Sequence, residues 1–136
     1  MSNIEQTLSI IKPDAVERNL VEKIKVIFEK NNLRIKDSKK IHLSKEEASE
    51  FYKVHQSRPF YDELCNYLSS SPIFVMILEG EGAVGLNRKI MGATNPKDAE
   101  PNTIRKLYGI SIDKNSVHGS DSIENATKEI NFFFKS

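Results

Sequence analysis

Apolar residues recur along this chain with two different periods, and the switches between them outline its elements. From Gln6 to Ile11 the pattern alternates through Leu8 and Ile10 and then adds Ile11, which is the period of a β-strand. Lys12-Pro13-Asp14 ends that run, since proline has no N–H to extend a sheet ladder. Leu20, Ile24, Ile27 and Phe28 then follow helical spacing, closed by Asn31-Asn32. Leu33 and Ile35 open a second strand that continues less regularly to Ile41 and Leu43. Ser44 and Glu47 form a capping-box pattern, and the helix they start places Ala48, Phe51, Tyr52 and His55 on one face. Tyr52 and His55 read there either as the polar tips of an amphipathic edge or as part of a site. Arg58-Pro59-Phe60 breaks this helix, and Leu64, Tyr67 and Leu68 give another short one before the turn at Ser69-Ser70-Ser71-Pro72.

Ile73 to Leu78 is wholly apolar, as expected of a central strand covered on both faces or at an interface. Gly80-Glu81-Gly82-Ala83-Val84-Gly85 matches the dinucleotide-binding G-x-G-x-x-G, with Val84, Ile90 and Met91 on the helix that follows. That fingerprint needs a parallel strand soon after the helix, carrying an acidic residue at its end. Here the helix meets Gly92-Ala93-Thr94-Asn95-Pro96 and a polar loop reaching Pro101 and Asn102, so the match is set aside. Ile110 and Ile112 fit a short edge segment leading to Asn115. Asp121 with Glu124 predicts a last helix, with Ile123, Ala126, Ile130 and Phe133 as its buried stripe. Four strands interleaved with helices in this order suit a split βαβ, ferredoxin-like antiparallel sheet, which needs less chain than a doubly wound parallel one.

Composition narrows the class. With 136 residues, 38% hydrophobic and 29% charged, the expectation is one globular domain spanning 1–136 around a single core. A net charge of +1 predicts no strong attraction to nucleic acid or to an anionic membrane. Lone Cys65 leaves no internal disulfide and no cysteine-rich zinc site, suits a reducing interior, and reads as a small buried residue. No basic-then-apolar leader and no membrane-length apolar run is visible, so a cytoplasmic location is expected.

Two places carry candidate chemistry. His118 stands beside Gly119, Ser120, Asp121 and Ser122, and a neutral imidazole is a good nucleophile near neutral pH. Gly119 would keep bulk away from the ring, and Ser120 would donate to whatever the ring attacks. Glu129 falls inside the apolar stripe of the last helix, where an unpaired carboxylate is costly. Its partner is either a nearby lysine or arginine, or the His118 ring, whose tautomer it would then fix. The second place is the polar loop, framed by Arg88-Lys89 and Arg105-Lys106 and containing Thr94. Two guanidiniums around a hydroxyl-bearing loop make a phosphate clamp; as isolated charges they are surface arginines. Lys12, at a strand end, reads by itself as a solvated charge.

Taken together these segments resemble the nucleoside diphosphate kinases, over essentially all of residues 6 to 134. The resemblance is carried by Ile11-Lys12-Pro13-Asp14-Ala15, by His55 through Arg58-Pro59-Phe60-Tyr61, and by Met91-Gly92-Ala93-Thr94-Asn95-Pro96. Thr103-Ile104-Arg105 and Asn115-Ser116-Val117-His118-Gly119-Ser120-Asp121-Ser122 complete it. It implies a four-stranded ferredoxin-like sheet with packed helices. It also implies a reaction that moves the terminal phosphoryl group of a nucleoside triphosphate to a nucleoside diphosphate through a phosphohistidine at His118. Glu129 would orient that ring, with Ser120 bonded to it. Lys12, Tyr52, His55, Arg88, Thr94 and Arg105 would surround the phosphates, Lys12 and Asn115 would hold the ribose hydroxyls, and Phe60 and Ile112 would enclose the base. The resemblance further implies a homo-oligomer, a hexamer or a tetramer built on a dimer.

These roles agree with the chemistry of phosphoryl transfer, which needs in-line placement and compensation of oxygen charge. The motifs contain no cluster of acidic ligands, so Mg²⁺ is expected on the nucleotide phosphates and no protein metal site is expected. Stacking on Phe60 uses a face common to every base, which predicts broad base tolerance. Where the family commonly has glycine this chain has Asn19, Glu22, Ser71 and Asn102, and asparagine is the replacement that best tolerates left-handed backbone. Many relatives also run on into a longer C-terminal tail, whereas this sequence ends at Ser136. Two competing readings are a non-catalytic nucleotide-binding module of the same fold and a hydrolase using Ser120, His118 and Glu129. The second lacks a nucleophile elbow and an oxyanion loop.

Overall fold

A computed structural model describes residues 4–53, 57, 59, 61–111 and 114–134. Its sheet has four antiparallel strands in the order β2-β3-β1-β4: β1 Ile4–Ile11, β2 Arg34–Ile41, β3 Ile73–Glu81 and β4 Val117–Gly119. This is the ferredoxin-like arrangement expected. The helices are α1 Pro13–Glu17, α2 Val21–Lys30, α3 Lys45–Phe51, α4 Tyr61–Ser69, α5 Ala83–Met91, α6 Ile104–Tyr108 and α7 Ile123–Phe133, with a 3₁₀ turn at Pro96–Asp98.

Both faces of the sheet are covered, and the strands' period of two explains how. Ile11, Met76, Leu78 and Val117 face one way and pack with Ile24, Phe28, Ile90, Met91 and Ile104. Leu8, Ile10, Ile73 and Val75 face the other way and pack with Ala48, Tyr52, Cys65, Leu68 and Phe133. The unbroken apolar run of β3 is thus two interleaved stripes, one for each layer of helices. The expectation of a single core gives way to two, because the sheet has no solvent face over β1 and β3.

Several boundaries differ from the sequence reading. The short helices α1 and α6 were not anticipated, since five residues are too few to display a helical period. No strand lies at Ile110, which is exposed; the edge strand begins at Val117, where it pairs with Ile11. Helix α7 is capped by Ser122, whose side chain accepts from the Asn125 N–H, and not by Asp121. Ile123, the first residue of the helix, is exposed, and Ala126 and Phe133 are the residues of the stripe that are buried. The capping box at the start of α3 is present as expected, with both the Ser44 and Glu47 bonds formed. Asn19 and Asn102 have φ of 59° and 69°, the left-handed backbone in which asparagine replaces glycine most easily.

Candidate functional site

The edge strand β4 and helix α7 bring together the residues expected to carry the chemistry. His118 Nε2 lies 2.9 Å from Glu129 Oε1, and Ser120 Oγ donates to the same oxygen at 3.0 Å. A carboxylate only accepts, so Nε2 holds the proton of the ring and Nδ1 is the nitrogen with a free lone pair. Ser120 is pinned on its other side by the Leu8 N–H, at 3.3 Å. Its hydroxyl therefore meets Glu129, the kind of bond the family resemblance implies, whereas the local sequence by itself suggests a donor to the group under attack. The carboxylate's partner, left open above between a cation and the ring, is the ring. Phe51 packs edge-on against His118, with centroids 5.4 Å apart, and the imidazole side chain keeps 23% of its surface open to solvent. The ring is thus fixed in orientation yet reachable.

Gly119 has a different reason from the one expected. A Cβ there would collide with the Asn87 amide and stand 2.7 Å from Met91 Cε, so the missing side chain admits α5 against β4. His118 lies on the opposite face of the strand from that contact, because successive side chains alternate.

Helix α5, the loop after it and α6 form the second half. Arg88, Lys89, Thr94 and Arg105 line one cavity of about 560 Å³, together with Gly85, Met91, Gly92, Ala93, Glu100 and Thr103. The bend into this loop is made at Gly92, whose φ of 89° and close approach to Thr103 exclude a side chain. Arg88 is exposed, whereas Arg105 is buried and donates to the carbonyls of Gly92 at 3.0 Å and Val117 at 2.9 Å. Burial, and then the neighbouring Arg88 charge, lower the Arg105 pKa to about 10, with Tyr52 opposing the shift. Arg105 stays charged at neutral pH but is poorly neutralised, which favours an incoming anion.

Lys12 is buried too, where a solvated charge had been the reading of the residue by itself. Its Nζ donates to Asn115 Oδ1 at 2.9 Å, and Asn115 Nδ2 donates to the Thr94 carbonyl at 2.9 Å. One asparagine thus joins the lysine to the arginine-framed loop. Tyr52 is buried in place of marking a surface edge, and its hydroxyl is pushed above the usual range, first by burial and then by Glu129. Asp121 is held below the usual carboxylate range first by its bond from Asn125, with smaller contributions from Arg88 and His118. The bond from Arg105 to the Val117 carbonyl anchors the arginine one residue from His118, so the two halves adjoin. Nine of the twelve expected residues are described; His55, Phe60 and Ile112 lie outside the described residues. The sequence reading missed Phe51 as the wall against His118, although it shares the helical face of Tyr52.

An imidazole held ready beside clustered cations is the equipment of proteins that move phosphoryl groups. Comparison with known proteins makes this specific. The family model described as nucleoside diphosphate kinase matches residues 5–136. A nucleoside diphosphate kinase of Nitratiruptor is 59% identical over 131 residues, covering 96% of each chain. One of Campylobacter concisus is 59% identical over 133 residues, covering 98% of this chain and 97% of its own. Among solved structures, the Aquifex aeolicus nucleoside diphosphate kinase superposes with a TM-score of 0.96 at 42% identity, over 98% of this chain and 96% of that one. The chain belongs to the nucleoside diphosphate kinase family.

Proposed function

We propose that this chain transfers the terminal phosphoryl group of a nucleoside triphosphate, typically ATP, to a nucleoside diphosphate by a ping-pong route through His118. The observation that carries the assignment is the 2.9 Å contact between Nε2 and Glu129, which leaves Nδ1 as the attacking nitrogen. In the first half-reaction the Nδ1 lone pair forms a bond to the terminal phosphorus while the bridging P–O bond breaks. The electron pair of that bond leaves with the nucleoside diphosphate. In the second, a terminal oxygen of the acceptor diphosphate forms the new P–O bond and the N–P bond breaks. The proton stays on Nε2, donated to Glu129 throughout, and the carboxylate offsets the positive charge that the phosphorylated ring acquires. Donor and acceptor use the same pocket in turn, and similar bonds are broken and made, so the equilibrium lies near unity.

Lys12, Arg88 and Arg105 supply compensating charge for the phosphate oxygens, with Thr94 and the neutral Tyr52 hydroxyl as polar partners. Lys12 and Asn115 take the ribose hydroxyls in this reading, and the bond between them supports a shared role. His55, Phe60 and Ile112 complete this assignment from the family resemblance, as a phosphate contact and the two walls of the base site.

Among the described residues no group of three or more His, Cys, Asp and Glu side chains converges. Three cations, Arg88, Lys89 and Arg105, line the cavity against one carboxylate, Glu100, a balance that suits phosphate better than a bare metal ion. Mg²⁺ in this reading is bound by the nucleotide's own phosphates, where it neutralises charge. We read residues 1–136 as one domain acting in the cytoplasm; no helix among the described residues is long and apolar enough to cross a membrane. A homo-oligomer built on a dimer, in a tetramer or hexamer, is supported by the position of β2 at the sheet edge, an edge that a second copy can use.

Incubation with γ-labelled ATP and Mg²⁺ tests the proposal. It predicts a phosphoenzyme labile in acid, stable in alkali and discharged by GDP. Acid-stable label would place the phosphoryl group on serine and defeat the histidine assignment. No label at all would favour the non-catalytic module.

A further inference from the structure

Outside the residues assigned above, one buried network is organised around Asp14. Its Oδ2 accepts from Arg18 Nη2 at 3.3 Å and from Ser116 Oγ at 3.3 Å, while Oδ1 accepts from the Tyr67 hydroxyl. The Asp14 N–H donates back to the Tyr67 oxygen at 3.0 Å. Arg18 extends the network, donating from Nη2 to the Tyr108 carbonyl at 2.6 Å and from Nε to the Asp14 carbonyl at 3.0 Å. Three segments meet on this carboxylate, α1, α4 and the residue before β4, and Arg18 ties in the end of α6.

Ser116 is where this network touches the site. It is fully buried and has a φ of 77°, a left-handed conformation that serine rarely adopts. A residue held there needs its surroundings to fix it. Ser116 follows Asn115, whose side chain joins Lys12 to the Thr94 carbonyl, and stands two residues before His118. Its carbonyl also accepts from the Lys12 N–H at 2.8 Å. The backbone of one strained residue therefore sets where Lys12 and Asn115 stand relative to the imidazole. Its hydroxyl donates to Asp14 Oδ2 at 3.3 Å and accepts from Arg18 Nη2 at 3.4 Å.

We propose that Asp14 is a positioning residue for nucleotide binding: through Ser116 it locks the left-handed turn that presents Asn115 and Lys12 to the substrate sugar. This rests on the reading above in which Lys12 and Asn115 take the ribose hydroxyls. Asp14 itself meets no nucleotide. Replacing its carboxylate by an amide keeps the shape but removes the charge that holds Arg18, and one amide oxygen cannot serve Tyr67, Arg18 and Ser116 together.

The test compares kcat/KM for ATP and for 2′,3′-dideoxy-ATP in the wild type, Asp14→Asn and Asn115→Ala. A purely structural defect lowers both substrates alike and leaves their ratio unchanged. The proposal expects Asp14→Asn to reduce the preference for the ribose nucleotide by about tenfold, through KM, in the same direction as Asn115→Ala. If Asn115→Ala narrows the preference and Asp14→Asn does not, the proposal is overturned while the ribose assignment stands. If neither narrows it, the ribose assignment fails and takes the proposal with it. Should Asp14→Asn fail to fold, Ser116→Gly provides the same comparison. Glycine accepts the left-handed backbone and lacks the hydroxymethyl group that reaches Asp14, so a narrowed preference supports the proposal and an unchanged one overturns it.

Discussion

The two halves of the site are built on opposite principles. Around His118 each polar atom named has a definite partner: Nε2 and Ser120 Oγ both meet Glu129 Oε1, and Leu8 holds the serine from behind. The aromatic wall of Phe51 leaves the ring little room to turn. The cavity beneath α5 is the reverse, an open space of about 560 Å³ with charge gathered at its walls. Arg105 is buried there with its Nε unpartnered among the described residues and its pKa lowered to about 10. In the proposed function, the nucleophile is finished before substrate arrives, whereas the phosphate cradle is left incomplete for an anion to complete. Preorganisation at the reacting atom and unspent charge around it are what in-line phosphoryl transfer requires.

Breaking the first half gives the largest effect. His118→Ala should abolish exchange while nucleotide binding, measured by calorimetry, survives, because the cavity is untouched. Loss of binding as well would mean that the two halves are not separable. Arg105→Gln should lower kcat by about 10²–10³-fold, the usual result of removing one preorganised charge from a transition state. The phosphoenzyme should still form, more slowly; an undiminished rate would place Arg105 outside the phosphate path. Glu129→Ala leaves the nucleophile in place but unsteered, and about 10–100-fold is expected by analogy with other partners of functional histidines. Single-turnover phosphorylation at the wild-type rate would reduce Glu129 to a packing role.

The same contrast explains what the sequence could disclose. Period-two and helical patterns make β1, α2 and α7 visible because burial selects the same face at every turn, and β3 shows as an unbroken apolar run because both its faces are covered. Helices α1 and α6 are too short to show a period, and their anchors are tertiary: Arg105 reaches back to Gly92 and Val117. Asp121 and Ser122 are both good N-cap types, and only the Asn125 bond decides between them. Glu129 stood out as an acid in an apolar stripe, so the histidine half was legible. The burial of Lys12 and Tyr52 was not, since neither residue type is ordinarily interior and nothing local signals it. Gly119 was singled out for the wrong reason, because the Asn87 and Met91 contacts come from a distant helix. The motifs located the site; packing explains its form.

The central claim is that Glu129 commits one nitrogen of His118 and frees the other. Phosphorus–nitrogen correlation NMR of the phosphoenzyme, made with ¹⁵N-labelled histidine, reads this directly. Phosphorus coupled to Nδ1 of His118 is the predicted result; phosphorus on Nε2, or on Ser120, would contradict it.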